Sequence, residues 1–275
     1  MASYINTNMA SLNAQRNLTQ SQGALHTSLQ RLSSGLRVNS AKDDASGLAI
    51  AERINAQVKG LNVAVRNSND GISMAQTAEG ALGVIGANYQ RMRELAVQGA
   101  NINTTGGGAT AAADLASLDA EYKQLDAENK RVITATQFNG VSLLSAAVSQ
   151  NFQIGANTAD VLTVTTAAAV AGTNSGTLGA TQATALAEIA KLDADITQVN
   201  STRATWGATQ SRFEAIIQNV SNAAENLQAA RSRIMDTDYA SETANLTRAQ
   251  ILQQAGTAML AQANQIPQSV MTLLR

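Results

Sequence analysis

The sequence predicts a mainly α protein: a long antiparallel α-helical coiled coil or rod with a small β-hairpin region. Three observations carry this. A single proline, Pro267, occurs in 275 residues, so little interrupts a helix. Apolar residues make up 44% of the chain but aromatics only 3%, which suits the thin core of a rod. Apolar positions recur at helical spacing over most of the length, except in one stretch where Gly, Asn and β-branched residues take over.

The elements follow in order. Ile5, Met9 and Leu12 sit at i, i+4 and i+7, and Leu18, Leu25, Leu29, Leu32 and Leu36 continue a stripe on a shifted seam. Residues 33–47, SSGLRVNSAKDDASG, break that helix, and Asp43 or Asp44 caps the next one. A second helix runs from about Ala45 to Gly99, ~80 Å at the usual rise, with Val58, Leu61, Val65, Ile72, Leu82, Ile85, Tyr89 and Met92 on its apolar face. NTTGGGAT at 103–110 turns the chain. A third helix, about Ala111 to Ile133, aligns Leu115, Leu118, Tyr122, Leu125 and Val132. Phe138 to Thr166 then reads as β-hairpins or short strands. Residues 167–183 are small, polar and of low complexity, a solvent-exposed connection. A long helix returns from about Thr184 to Met235, with Trp206-Gly207 as its expected point of interruption. DTDYASET at 236–243 breaks it before the tail.

In the tail, Leu252, Met259, Ile266 and Leu273 recur every seven residues, with Ala255, Ala263 and Val270 beside them. Ala249 to Leu274 carry no charge, and the first 42 residues carry no acid. The two terminal stripes are expected to bury each other as an antiparallel pair, each fully buried side chain contributing roughly 1.5–3 kcal/mol. Charge depletion on both arms points to an assembly interface, because interface cores lose charge relative to other surface. Pro267 kinks or ends the tail helix near Ile266; the sequence leaves both open.

Composition excludes several classes. The net charge of −1 leaves no basic footprint for nucleic acid. No cysteine occurs, so there is neither a disulfide framework nor thiol chemistry. No run of about 20 apolar residues could span a membrane, and the N-terminus lacks the pattern of a Sec signal. His26 is the sole histidine and reads as a polar helix-face residue. Motifs for zinc or nucleotide sites are missing. No enzyme, metal or cofactor is expected. Trp206 reads as a packing anchor, and Arg231 and Arg233 as surface ion pairs of Asp236 and Asp238.

A set of segments then carries a resemblance. INTNMASLNAQRNL, LQRLSSGLRVNSAKDDASGLAIAERI, RMRELAVQGAN, TQFNGVSLL, SRFEAIIQNV, ARSRIMDTDYASE and AQILQQAGTAMLAQANQIPQSVMTLLR cover well over half the chain. In these the chain resembles bacterial flagellin, in a short form lacking most of the variable outer region. The resemblance implies a structural, non-enzymatic subunit that self-assembles into the helical tube of the flagellar filament for motility. Residues 1–43 and 236–275 would pair as the inner-tube domain, with 34–46 as its spoke. Residues 44–235 would form a helical rod with hairpins at about 138–166 and a short variable connection at about 167–183. The assembly interface would comprise Ile5, Met9, Leu12, Leu25, Leu29, Leu32, Leu252, Met259, Ile266, Val270 and Leu273.

The resemblance also implies partners. These are like copies in the filament, an export chaperone covering the C-terminal helix, and the filament cap and hook-junction proteins. Export would be of the type III kind, to the extracellular flagellum and without a cleaved signal. Roughly 1–40 and 240–275 lack the apolar surface to fold alone, so they are expected to be disordered in the free subunit and to order on assembly. YQRMRELAVQ at 89–98 resembles the flagellin surface bound by the vertebrate Toll-like receptor 5, with Gln90, Arg91 and Leu95 as contacts on one helix and Glu121 on the next. The alternative within the same class is a hook–filament junction protein.

Overall fold

A computed structural model describes residues 7–105, 109–166, 172–179 and 181–273. Ile5 and the glycines 106–108 lie outside them, as do 167–171 and residue 180. The helices are α1 (Met9–Ser34), α2 (Ala45–Thr105), α3 (Ala109–Ala135), α4 (Gln182–Met235) and α5 (Tyr239–Leu273). The strands are β1 (Gln137–Phe138), β2 (Val141–Ser142), β3 (Val148–Gln153) and β4 (Val161–Thr166). α4 runs unbroken through Trp206-Gly207, and α5 runs past Pro267 to Leu273. The chain divides into two compact units, residues 1–56 with 225–275, and 57–224. The divisions fall inside α2 and α4, not at the breaks near 43 and 236 that the sequence suggests.

In the terminal unit α1 and α5 pair antiparallel. Asn8 Nδ2 donates to the Ala263 carbonyl at 2.8 Å, and the Tyr239 hydroxyl donates to the Leu32 carbonyl at 3.4 Å. The seam repeats every seven residues, through Ser11, Leu18, Leu25 and Leu32 on one side and Glu242, Ala249, Gly256 and Ala263 on the other. A β-carbon on Gly256 would stand 3.3 Å from Leu18 Cδ1, so small residues set how closely the backbones approach. Gly35 ends α1 at φ 71°, where its missing side chain allows the left-handed cap. The turn that follows is tied to the end of α4: Leu36 bridges Asp236, and the Arg37 amide donates to the Met235 carbonyl at 2.6 Å. Val38, Ala51 and Met235 form a small core there.

Both aspartates of the break act, in different places. Asp44 caps α2 by accepting the Gly47 amide at 2.8 Å. Asp43 closes the preceding turn through the Ser40 amide and hydroxyl and the Asn39 amide. Hydrogen bonds first from Ser40 and then from Asn39 hold its carboxyl below the ordinary range. Asp238 caps α5, and Asp236 takes the Ser232 hydroxyl at 2.6 Å. The expected ion pairs of these two with Arg231 and Arg233 are not formed among the described residues.

The second unit packs α2, α3 and α4 around one core. Leu82, Ile85, Tyr89, Met92, Tyr122, Leu192 and Phe213 are fully buried in it. Trp206 is buried there too, as the packing anchor expected. Phe213 meets Phe152 edge to face at 5.3 Å, a favoured aromatic geometry. β1 and β2 turn through Asn139-Gly140, both at positive φ. β3 and β4 pair antiparallel with Val148 opposite Thr166 and Gln153 opposite Val161. Leu162 and Val164 point into the core while Thr163 and Thr165 face out, the period of two that a half-buried strand needs.

Candidate assembly interface

The surface of the terminal unit follows from what its seam uses up. The pair closes on serines, alanines, a glycine and one leucine in seven. Leu18, Leu25, Leu32, Leu246 and Leu260 are half-buried, while other large apolar residues are turned outwards: Met9 is 65% exposed and Met259 64%, with Leu12, Leu29, Ile251 and Leu252 near half-exposed. The expectation that the two stripes bury each other thus holds for Leu18, Leu25, Leu32 and Ala263 and is corrected for Leu252 and Met259. Closer approach of the backbones at Gly256 and the alanines wins over contact between large side chains. Leu25 and Leu32 are half-buried in the seam, so they join the two helices of one chain instead of facing out. The side chains of Ile266, Val270 and Leu273 lie outside the described residues. Ile251, missed by the heptad count, belongs with the exposed set; it adjoins Leu252. These apolar residues stand exposed on a helix pair that carries few charges.

The second unit carries the other predicted patch. Arg91 on α2 donates to Glu121 on α3 at 2.8 Å and to Glu94 at 3.0 Å. These hydrogen bonds, the one to Glu121 first, hold the guanidinium above its ordinary range. Gln90 is exposed beside them. Leu95 is 0% exposed and belongs to the core. Arg91 and Leu95 therefore do not share an accessible face, because the one-turn offset rotates Leu95 into the α2–α3–α4 packing.

The described part of the connection, residues 172–179, is not a solvent-exposed link but a strap bound to α3 and α4. Thr173 gives its amide and hydroxyl to Asp195, and Asn174 adds its amide and side-chain amide. The Ser175 amide and the Tyr122 hydroxyl donate to Glu188. The Thr177 hydroxyl and Leu178 amide donate to Asp119 at 2.7 and 2.8 Å. Leu178 is fully buried against Gly99 and Leu115. Burial pushes the Asp119 and Glu188 carboxyls up, but hydrogen bonds from lysine and from the strap outweigh it, and both sit below the ordinary range. Burial, then the Glu188 charge, drives the Tyr122 phenol well up. A signal for these acids exists in the sequence. Asp119 and Asp126 are seven apart, as are Glu188 and Asp195, among apolar residues of the same helices. Acids at core spacing need donors.

Among the described residues no cluster of acids and histidine could hold a metal ion, and no helix is long and apolar enough to cross a membrane.

Two family models match the chain. The bacterial flagellin N-terminal helical region matches residues 5–149, and the bacterial flagellin C-terminal helical region matches 189–274. The chain belongs to the bacterial flagellin family. It is 44% identical over 276 aligned residues to the flagellin of Halalkalibacterium halodurans, covering 98% of this chain and 99% of that one. It is 43% identical to the flagellin of Xenorhabdus nematophila over the whole of both chains. A putative flagellar hook-associated protein from Vibrio parahaemolyticus shares the fold, with a TM-score of 0.60 over 70% of this chain and 100% of that one, at 12% identity. That likeness concerns the fold alone, so the hook–filament junction alternative gains no support over flagellin. As a flagellin the chain is a structural subunit of the flagellar filament, outside the cell, and not an enzyme. It self-assembles.

Proposed function

We propose that the outward-facing residues of the terminal pair, Met9, Leu12, Leu29, Ile251, Leu252 and Met259, are the surface through which this flagellin joins its copies. The supporting observation is their exposure beside a seam that the chain closes without them. In this reading residues 1–43 and 236–275 form the inner tube, 34–46 the spoke and 44–235 the rod. Buried Gln and Asn of the tail find hydrogen-bond partners in neighbouring copies. This surface meeting a different patch of the next copy, head to tail, gives an open helical fibre. Before assembly the terminal pair has little core of its own, so its ordering is coupled to polymerisation. Such a subunit suits type III export without a cleaved signal, a chaperone on α5, and the cap and hook-junction proteins as its neighbours at the filament ends.

Seeded polymerisation of Met259→Asp, read by sedimentation and negative-stain microscopy, tests the reading. Loss of tubes with the helix content of residues 57–224 intact supports it, and normal tubes refute it. Toll-like receptor 5 is proposed as a host partner through Gln90, Arg91 and Glu121. Leu95, as a core residue, would support that patch from beneath.

A further inference from the structure

Within the terminal unit α1 and α5 enclose a groove of about 330 Å³, walled by Ser28, Arg31, Glu242, Asn245, Arg248 and Leu252 among others. Its charges are not balanced. Arg31 Nε is buried and, among the described residues, is the one buried side-chain polar atom without a hydrogen-bond partner. The nearest acid is the buried Glu242, whose Oε2 lies 3.8 Å from Arg31 Nη1, too far for a hydrogen bond. Arg248 lines the same groove and makes no ion pair or side-chain hydrogen bond among the described residues. Two guanidinium groups thus line a groove that holds one carboxylate, and among the described residues neither hydrogen-bonds to it.

Leu252 is both a wall of this groove and a member of the exposed apolar set. Covering that set with another copy removes water from the groove as well. An unpaired guanidinium taken out of water costs several kcal/mol, so the covering surface must bring an acid. The terminal helices of a neighbour have none to offer beyond the buried Glu242: residues 1–42 and 243–275 contain no Asp or Glu. In the same compact unit, two exposed acids stand without a partner among the described residues, Glu52 on α2 and Glu225 on α4. Sharing a unit with the groove, they travel with it to the same level of a tube built by stacking like units.

We propose that the Arg31–Arg248 groove is a socket for a carboxylate of a second copy of this chain, Glu52 or Glu225. The socket rests on the reading that the exposed terminal surface mediates assembly. It gives the apolar contact a register, because sliding one copy along another would strand the guanidinium groups.

Charge reversal with rescue tests it. Arg248→Glu leaves Arg31 and the seam untouched, and circular dichroism of the free subunit checks that folding is preserved. Its critical concentration for assembly should rise about tenfold, the shift expected when one close pair worth about 1.4 kcal/mol is removed. Adding Glu52→Arg or Glu225→Arg in the same chain should restore assembly. Wild-type assembly by Arg248→Glu overturns the socket, and so does failure of both reversals to rescue it. Met259→Asp separates the two ideas. If it abolishes tubes while Arg248→Glu does not, the socket fails alone; if it too assembles normally, the surface reading fails first.

Discussion

Asp195 on α4 holds Thr173 of the strap twice, through its amide at 2.8 Å and its hydroxyl at 2.7 Å. A fully buried carboxylate is satisfied entirely by a segment that, by composition, looks like a loose link. The strap seats Leu178 over Gly99, and that contact joins a short low-complexity stretch to the core of the second unit.

The strap's attachment should depend on pH. Asp119 and Glu188 both titrate below the ordinary carboxylate range in the folded chain. Their contribution is therefore fully present above their unfolded values, near pH 4, and is lost as pH falls through the lower folded values. Charged and titratable groups facing the strap come from α3 (Asp119, Lys123, Asp126, Lys130), from α4 (Glu188, Lys191, Asp195) and from Tyr89 and Tyr122. Amide exchange at 173–178 should accelerate, relative to α2, as the solution is acidified below pH 4. Asp119→Asn with Glu188→Gln should show faster exchange already at neutral pH and a weaker acid dependence.

Two glycines on α2 should respond oppositely to a side chain. At Gly99 a β-carbon collides with Leu178, so Gly99→Val should destabilise the second unit by about 1–3 kcal/mol. At Gly80 the space is open within 4 Å, so Gly80→Ala should stabilise it by about 0.5–1 kcal/mol through helix propensity. Chemical denaturation of the full chain gives both signs.

Much of the fold was legible in the sequence. Helical spacing marked all five helices, and FNG with VLTVTT marked the hairpins. Three features were not. The heptad of Leu252 and Met259 identifies a helix but cannot say which of its faces meets α1; the choice went to Ala249, Gly256 and Ala263 because small residues let two backbones close. Composition made 172–179 look soluble, because the acids that bind it lie on other elements. Leu95 shares a motif with Arg91, but only the packing of three helices shows that it points inward.

The Arg91–Glu121 pair offers a test of the receptor proposal. Arg91→Ala with Glu121→Ala should lower activation of Toll-like receptor 5 by the free subunit. The helix content should be unchanged, since both side chains are 45% exposed and exposed pairs add little to stability. Leu95→Ala should instead act mainly through the fold, at a cost of about 2–5 kcal/mol. Wild-type signalling by the double variant removes the patch from the host partner's footprint.

Methionine oxidation compares the free and assembled states of the contact surface most directly. Met9 and Met259 lie on the exposed set, while Met92 is fully buried in the second unit and serves as the internal reference. Peroxide converts accessible methionine to the sulfoxide, and mass spectrometry reads each site separately. In the free subunit Met9 and Met259 should oxidise quickly and Met92 slowly. In filaments all three should be slow. Rapid oxidation of Met9 and Met259 in intact filaments would contradict burial of this surface between copies.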